Sequence, residues 1–417
     1  MIQGLFERKI SHHERFIPES AESALEIKSE ALVRTFIEDI LTEGALDERF
    51  NSFVRSTEDD PEPLGIDYLS NCYIFTIKKE GVLLTGILVN VLDESQFGKA
   101  LDISLEPGFG YSVRNGVGLM LFQSDDNLKS PDQLKEIATS MISNQTNFDH
   151  SLLKSKVEHS NVNYWTKEYI FNERKTFKDV HLSLAVKGNE LIMKGIANFQ
   201  STESRSYPIL EQKDLSIQTQ FIPNSVNDLW VNNMENLGLP FPKLTYLSGN
   251  YHYSEPSPIK EMKVLPNFDG IYAFDENFQI RIPLIALAAS RKINSLNLQS
   301  FKLGDKKIYY KQIDSKTIYL GQSQYRATGN KQNALLEVNG DLKQLLEIRN
   351  GGIIERFLQF SPEYNAAERF LSNIKKSNFY IKDKDGKKVD VLGKITFEDG
   401  KSALNETTVL LMDLGFF

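Results

Sequence analysis

The fold of this chain is decided by residues 111–122, which read YSVRNGVGLMLF. Two runs of strand-forming residues flank Asn115-Gly116 in this stretch. Asn-Gly between two such runs is the strongest short-range signal for a β-hairpin, because both turn residues must adopt positive φ. The stretch therefore predicts two antiparallel strands joined by a tight turn.

Similar hairpin patterns recur along the chain. They are predicted at residues 72–91, 181–199, 310–320 and 378–397. In each pattern two apolar or alternating runs flank a short polar turn, which is the sequence signature of paired strands. Because most neighbouring strands are linked in this way, we expect a largely antiparallel sheet.

Three segments have helical rather than strand periodicity. Apolar residues recur at the 3.6-residue period over 29–41 and 131–142, and a shorter helix is predicted at 93–101. A helix that is apolar along one stripe must bury that stripe against another element. The fold class predicted from these patterns is α+β, with helices laid on one face of each antiparallel sheet.

The sequence also repeats itself over a long interval. Tyr73-Ile74-Phe75 is echoed by Tyr272-Ala273-Phe274, and Leu121-Phe122-Gln123-Ser124 by Leu320-Gly321-Gln322-Ser323. Both pairs share one offset, since 272 − 73 and 320 − 121 equal 199. This period far exceeds the roughly 20–50 residues of solenoid repeats. We therefore expect two tandem, duplicated domains.

Domain boundaries follow from these echoes and from composition. Residues 1–14 are expected to be a polar leader, 15–205 a first α+β copy and 206–417 a second copy. The length of 417 residues suits two or three domains at about 150 residues each. Each copy is therefore large enough to bury a core of its own.

Composition and charge exclude some classes of function. The hydrophobic fraction is 41% and the charged fraction 25%, as in ordinary globular proteins. The formal net charge of −8 argues against a partner held by its phosphates, so no nucleic acid is expected. Cys72 is the single cysteine and cannot form an internal disulfide; we expect a buried, inert thiol.

The compartment depends on the true start of the protein. The sequence contains no run of about 18 or more apolar residues, so no transmembrane segment is predicted. The first residues lack the apolar core and cleavage site of a signal peptide. We expect a periplasmic or envelope-associated protein if a leader precedes Met1, and a cytoplasmic protein otherwise.

No pattern of metal-ligating or nucleotide-binding residues is found. The six histidines form neither His-x-x-x-His nor His-Glu-x-x-His, and the glycines at 108–118 lead into a strand without a Gly-Lys-Ser/Thr ending. The turn at 383–386 resembles part of a calcium loop, but Ile381 and Leu392 stand where acids are needed. The sequence therefore predicts no cofactor and favours a protein that is not an enzyme.

Aromatic residues give the one sequence signal for binding. Tyrosine-rich loops supply contact area at low entropic cost. The candidate binding surface consists of Trp165, Trp230, Phe241, Tyr246, Tyr251 and Tyr253. The alternative is that both tryptophans are core residues and that the tyrosines pack a joint between the domains.

Two short motifs carry a resemblance to a known family. Phe16-Ile17-Pro18-Glu19-Ser20 precedes a strand and a long helix, and Leu64-Gly65-Ile66-Asp67-Tyr68-Leu69 precedes paired strands. In both respects the chain resembles an uncharacterised family of duplicated bacterial cell-envelope proteins, many of them lipoproteins. The resemblance implies an envelope location and brings with it no activity and no catalytic residue.

These observations lead to one expectation about function and one alternative. We expect a non-enzymatic binding or structural protein, working at the bacterial cell envelope, whose partner is a protein or an envelope component. The alternative is a ligand carrier or an enzyme with a pocket between the two copies, since ligands favour interdomain clefts.

Overall fold

A computed structural model shows the architecture. It describes residues 13–35, 64–79, 81–102, 106–123, 128–143, 145–172, 175–201, 207–210, 215–220, 222, 227–228, 231, 242–252, 267–278, 291–293, 298–303, 306–328, 334–342, 369–384 and 387–413. The chain forms two compact units, the first made of residues 1–169 and 177–197 and the second of residues 170–176 and 198–417.

Eight of the described strands lie wholly or mainly in the first unit. They are β1 Ala21–Ile27, β2 Cys72–Lys79, β3 Val82–Asn90, β4 Phe109–Arg114, β5 Val117–Gln123, β6 Val162–Asn172, β7 Lys175–Lys187 and β8 Glu190–Ser201. Three α-helices are described beside them: α1, which is described over residues 29–35, α2 Glu94–Asp102 and α3 Pro131–Ser143. Antiparallel ladders connect the strands in the order β4-β5-β3-β2-β1-β6.

The second unit is built almost entirely of strands where it is described. They are β9 Ile209–Leu210, β10 Leu215–Thr219, β11 Leu244–His252, β12 Asn267–Phe274, β13 Arg291–Ile293, β14 Leu298–Leu303, β15 Lys306–Asp314, β16 Thr317–Gly321, β17 Ala327–Thr328, β18 Ala334–Gly340, β19 Ile374–Asp383 and β20 Lys388–Phe397. Helix α4, Ala403–Asp413, follows the last strand.

Ladders in the second unit follow the order β13-β14-β15-β16-β12-β11-β10-β18-β19-β20, and β9 pairs with β17 in a separate two-stranded sheet. Every ladder whose register is resolved is antiparallel, so the predicted antiparallel sheet is confirmed.

The predicted fold class of two tandem α+β domains, each with helices on one face of its own sheet, is wrong. Where it is described, each unit consists mainly of antiparallel strands, and helices are few. The physical reason is that hydrophobic periodicity reports only local structure. It identifies strands and helices, whereas the number of strands that join one sheet depends on long-range pairing of their backbone groups. The predicted boundary between 205 and 206 lies outside the described residues.

The hairpin at 111–122 is confirmed in detail. Strands β4 and β5 pair from Phe109 to Phe122 around a two-residue turn. Asn115 has φ of 53° and Gly116 has φ of 75°. Positive φ at both positions is what a type I′ turn requires, and this turn matches the twist of the flanking strands.

One core of the first unit lies between its sheet and helix α3. Phe75, Leu119 and Leu121 point from the sheet into this core and are fully buried. Leu134 of α3 packs on them from above. A Cβ atom at Gly110 would lie 2.5 Å from the Leu134 Cβ, so a glycine in β4 is what allows the helix to pack this closely.

The described core of the second unit has a different cover. Its sheet contributes Tyr246, Ile271 and Tyr319, and residues of the segment around β9 pack against them, including Tyr207 and Leu210. In the first unit the segment after β5 forms helix α3, whereas after β16 the chain instead continues into the short strand β17. A cavity lies over the second unit's sheet beside this segment.

Candidate functional site

The cavity lies within the second unit and has a volume of about 340 Å³. Its described lining consists of Leu210, Asn250, Asp269, Tyr319, Ser323, Gln324 and Arg326. The floor is formed by strands β11, β12 and β16, and the walls by β9 and the segment that connects β16 to β17.

The floor is polar because of the register of three strands. Asn250 of β11 lies opposite Asp269 of β12, which lies opposite Gly321 of β16. Directly opposed residues point to the same face of a sheet, and Tyr319 shares that face because it lies two residues before Gly321. Asn250 and Asp269 are each 3% exposed and Tyr319 is 1% exposed.

Asp269 is held by its neighbours on β16 and beyond. Its Oδ1 accepts a hydrogen bond from the Ser323 backbone N–H at 2.8 Å and lies 3.0 Å from the Tyr319 Oη. The Tyr319 hydroxyl also lies 2.6 Å from the Ser323 carbonyl oxygen, so its single proton has two acceptors within reach. These contacts fix the carboxylate at the cavity floor.

Gly321 is the residue that permits this arrangement. A Cβ atom at this position would lie 2.5 Å from the Asp269 Oδ1 and 2.6 Å from the Tyr319 Oη. Contacts this short are not tolerated, so any larger residue would displace the carboxylate or the phenol. The cavity floor therefore depends on a glycine at the end of β16.

Tyr319 acts as a hydrogen-bonding group at neutral pH. Its pKa is raised well above the usual range, first by burial and then by the negative charge of Asp269. A raised pKa keeps the phenol protonated, which suits a donor and disfavours a base or a nucleophile. Its ring also contacts Tyr325 edge-to-face, with centroids 5.0 Å apart.

The mouth of the cavity carries a positive charge, that of Arg326, whereas the floor carries the negative charge of Asp269. Arg326 and Gln324 are exposed. Within the described part of the chain, no ion pair joins Arg326 to an acidic side chain. The guanidinium is therefore available to a group that enters from solvent. The formal charges of Asp269 and Arg326 cancel, so the described lining has no net formal charge.

The six aromatic residues predicted as a binding surface are placed only in part. Trp165 of β6 is 6% exposed and packs against Phe148, with ring centroids 5.9 Å apart. Tyr246 of β11 is fully buried and stacks on Tyr207 at 4.1 Å. The strand β11 includes the backbone of Tyr251, while Trp230, Phe241 and Tyr253 lie outside the described residues. A shared binding surface stays a prediction.

Sequence reasoning missed the residues that line the cavity. Asn250 lies inside the aromatic run 241–253, where strand alternation places Tyr246, Ser248 and Asn250 on one face. Asp269 is the third residue of β12, before its apolar end, and a single carboxylate within a strand carries no signal. What brings Asn250 and Asp269 together is ladder register, which the local sequence does not encode.

The described residues show neither a cluster of metal ligands nor a membrane-spanning helix. They hold no group of three or more His, Cys, Asp or Glu side chains arranged to bind a metal ion. The calcium-like pattern falls at the β19–β20 hairpin, where Lys384 N–H bonds to the Lys388 carbonyl at 2.8 Å, and residues 385–386 lie outside the described part. None of the helices described is sufficiently long and apolar to traverse a bilayer.

Comparisons with known proteins add little. No family model matches the chain, and no curated protein matches it. Crystal forms III, IV and I of a protein named TP0453 match 47%, 46% and 49% of this chain and 88%, 81% and 90% of that chain. Their TM-scores are 0.29, 0.27 and 0.28, at 8%, 9% and 8% identity. A likeness this distant supports neither a fold nor a function.

Proposed function

We propose that this chain is a non-enzymatic binding protein that holds a small polar ligand in the cavity of its second unit. The observation that carries the proposal is the polar floor, in which Asn250, Asp269 and Tyr319 are all buried beneath about 340 Å³ of space. This volume lies within the range of about 300–1,000 Å³ that is typical of small-molecule sites.

The first unit provides an internal comparison that supports the proposal. We call a row of directly opposed residues on neighbouring strands a rung. Leu121 of β5 and Gly321 of β16 lie on equivalent rungs of their units, because each lies four residues after the start of the second strand of its hairpin. In the first unit this rung consists of Phe75, Gly86 and Leu121, and Phe75 and Leu121 are fully buried.

In the second unit the same rung consists of Asn250, Asp269 and Gly321. The first unit shows that the same order of strands can carry buried apolar side chains at these positions. Burying a carboxylate and an amide costs free energy unless their hydrogen bonds are satisfied. Asp269 offsets this cost with the Ser323 N–H and the Tyr319 hydroxyl. A polar rung beneath a cavity, where the first unit has an apolar one, supports a role in binding.

The chemistry of the lining favours binding over catalysis. Acyl or group transfer by a side chain needs a nucleophile within reach of a base. The described lining contains no histidine, cysteine or lysine, and the phenol of Tyr319 has a raised pKa. Asp269 is engaged by Ser323 N–H, a contact that orients the carboxylate for hydrogen bonding.

The proposal is tested by ligand screening with the purified full chain and two variants. The probes are neutral sugars, amino acids and inorganic phosphate, measured first by thermal shift and then by calorimetry. Asp269→Asn keeps the side-chain volume and an acceptor for Ser323 N–H, and we expect it to weaken binding about tenfold or more.

The matched control is Asp67→Asn in the first unit. Asp67 is 6% exposed and also accepts a backbone N–H, that of Leu69. We expect the Asp67 variant to bind with unchanged affinity. If no probe of the three classes binds, or if Asp269→Asn and Asp67→Asn have equal effects, the proposed function is rejected.

Two finer proposals accompany this one. The resemblance of residues 16–20 and 64–69 to envelope proteins supports a location at the bacterial cell envelope. Fractionation of the native cells tests it, and recovery only in the cytosolic fraction would contradict it. The rival function, a carrier or enzyme with its pocket between the copies, predicts either turnover of a bound ligand or binding that Asp269→Asn leaves intact.

A further inference from the structure

We infer that the ligand of the second unit's cavity is a small, neutral, hydroxyl-rich molecule of about monosaccharide size. The inference rests on the proposed binding function and specifies its ligand. It follows from three properties of the cavity: the types of hydrogen-bonding group in its lining, its balance of charge and its volume.

The hydrogen-bonding groups are mixed in type. The amides of Asn250 and Gln324 and the hydroxyl of Ser323 are groups that can donate and accept. The Tyr319 proton is directed at Asp269 or the Ser323 carbonyl, so the phenol oxygen can only accept from a ligand, as can the Asp269 carboxylate. Arg326 only donates. A ligand that complements all of them must donate at some positions and accept at others. Hydroxyl groups do both, and several of them on a small frame match such a lining best.

The balance of charge argues against an ionic ligand. Asp269 and Arg326 are the charged residues of the described lining, and their formal charges cancel. The Asp269 carboxylate already accepts the Ser323 N–H at 2.8 Å and lies 3.0 Å from the Tyr319 hydroxyl. Because these donors stabilise the buried charge, no cation is required to compensate it.

The size and the walls of the cavity complete the argument. A volume of about 340 Å³ lies near the lower end of the range for small-molecule sites, which fits a hexose better than a nucleotide. Leu210 is the one aliphatic residue of the described lining, so an apolar ligand such as a fatty acid would face mostly polar groups. Burying those groups against hydrocarbon would be unfavourable.

The test compares ligands of one shape and different charge. D-glucose and D-galactose are titrated into the full chain by calorimetry, followed by the uronate and the 2-amino analogue of each. We expect a neutral sugar to bind tightest and each charged analogue to bind about tenfold more weakly or worse, which corresponds to about 1.4 kcal/mol or more.

Variants connect the affinity to the cavity. Asp269→Asn is expected to weaken the neutral sugar about tenfold or more, and Arg326→Gln to weaken it about threefold. Arg15→Gln is the control for Arg326, because Arg15 is also exposed and its loss changes the net charge equally. We expect no change in affinity for the Arg15 variant.

The outcomes separate the inference from the proposed function. If an amino acid, phosphate or a charged sugar binds more tightly than every neutral sugar, and Asp269→Asn weakens that binding, the ligand class is overturned while the binding function stands. If binding of every probe is absent, or is insensitive to Asp269→Asn, both are overturned. Tight neutral-sugar binding that both cavity variants weaken supports both.

Discussion

Phe75 and Gly86 face each other across the β2–β3 ladder, and the Phe75 ring covers Gly86 so closely that a Cβ there would lie 2.3 Å from its Cζ atom. Phe75 is fully buried in the core beneath helix α3. The absence of a side chain at one position therefore creates the space for an aromatic ring at the other. In the second unit the equivalent positions are Asn250 and Asp269, which line the cavity.

Gly86→Ala should destabilise the protein by about 1–3 kcal/mol, because the added methyl overpacks the core against the Phe75 ring. Chemical denaturation followed by fluorescence measures the change. The double variant Phe75→Leu, Gly86→Ala should show a coupling of about 0.5–3 kcal/mol, since removing the ring removes the clash. Additive effects of the two substitutions would contradict this explanation.

Gly98→Ala serves as the control for added volume. Gly98 lies in helix α2, and its Cβ would meet only the Tyr111 hydroxyl, at an ordinary 3.5 Å. Alanine has the higher helix propensity, so we expect this variant to be neutral or more stable by up to about 1 kcal/mol.

Phe274→Ala should cost about 3–5 kcal/mol, the range for a buried phenylalanine. Phe274 is fully buried among Leu244 and Ile318, and its ring lies 4.9 Å from that of Phe278. Phe122→Ala is the control, because Phe122 is 39% exposed and should cost much less. Equal unfolding free energies for the two variants would show that Phe274 has no structural role.

The local features of the fold were predictable from the sequence. The Asn115-Gly116 turn and helix α3 depend on residues adjacent in the chain, and both occur as predicted. The first sequence echo aligns two strands that do not occupy equivalent places in their ladders. Tyr73 lies in β2 and Tyr272 in β12, and these strands have different neighbours in their ladders. A short aromatic motif identifies a strand without fixing its place in a sheet.

The second sequence echo, between residues 121–124 and 320–323, differs by one residue from the alignment that the hairpins give. Leu121 was matched to Leu320, but counting from the hairpin turns places Leu121 on the rung of Gly321. A shift of one residue moves a side chain to the opposite face of a sheet. This shift concealed the contrast between a core leucine and the glycine that accommodates Asp269, so the cavity could not be predicted from the sequence.

Cys72 should react slowly with alkylating reagents in the folded protein. Burial raises the pKa of its thiol to about 11, and the reactive form is the thiolate. We expect the rate of alkylation by iodoacetamide to rise with pH around a midpoint near 11 in the folded protein. In urea the midpoint should be that of an ordinary thiol. A folded-state midpoint at or below about 8.5 would contradict burial as the cause.

The same shift makes stability depend on pH. Because the folded-state pKa lies above the unfolded value, the folded protein binds the proton more tightly. The contribution of Cys72 to the free energy of unfolding is therefore complete below the unfolded pKa and falls as pH rises toward about 11. Cys72→Ser should remove this part of the alkaline decline in melting temperature.

Asp67→Ala should cost about 1–3 kcal/mol, because it removes the acceptor shared by Leu69, Ser70 and Asn90. The Asp67 Oδ1 accepts the Leu69 N–H at 3.2 Å, its Oδ2 accepts the Ser70 hydroxyl at 2.9 Å, and the Asn90 amide lies 3.4 Å from the same oxygen. Without the carboxylate these donors lose a common partner in a buried setting.

Asp132→Ala is the control for loss of an aspartate. Asp132 is exposed in the first turn of α3, where a negative charge stabilises a helix by only about 0.3–1 kcal/mol. Urea unfolding of both variants at neutral pH gives the comparison. A larger cost for Asp67→Ala would show that the Gly-Ile-Asp motif serves folding, since its carboxylate contacts the backbone and side chains of its own loop. Equal costs would show that the Asp67 carboxylate stabilises the fold no more than an exposed aspartate does.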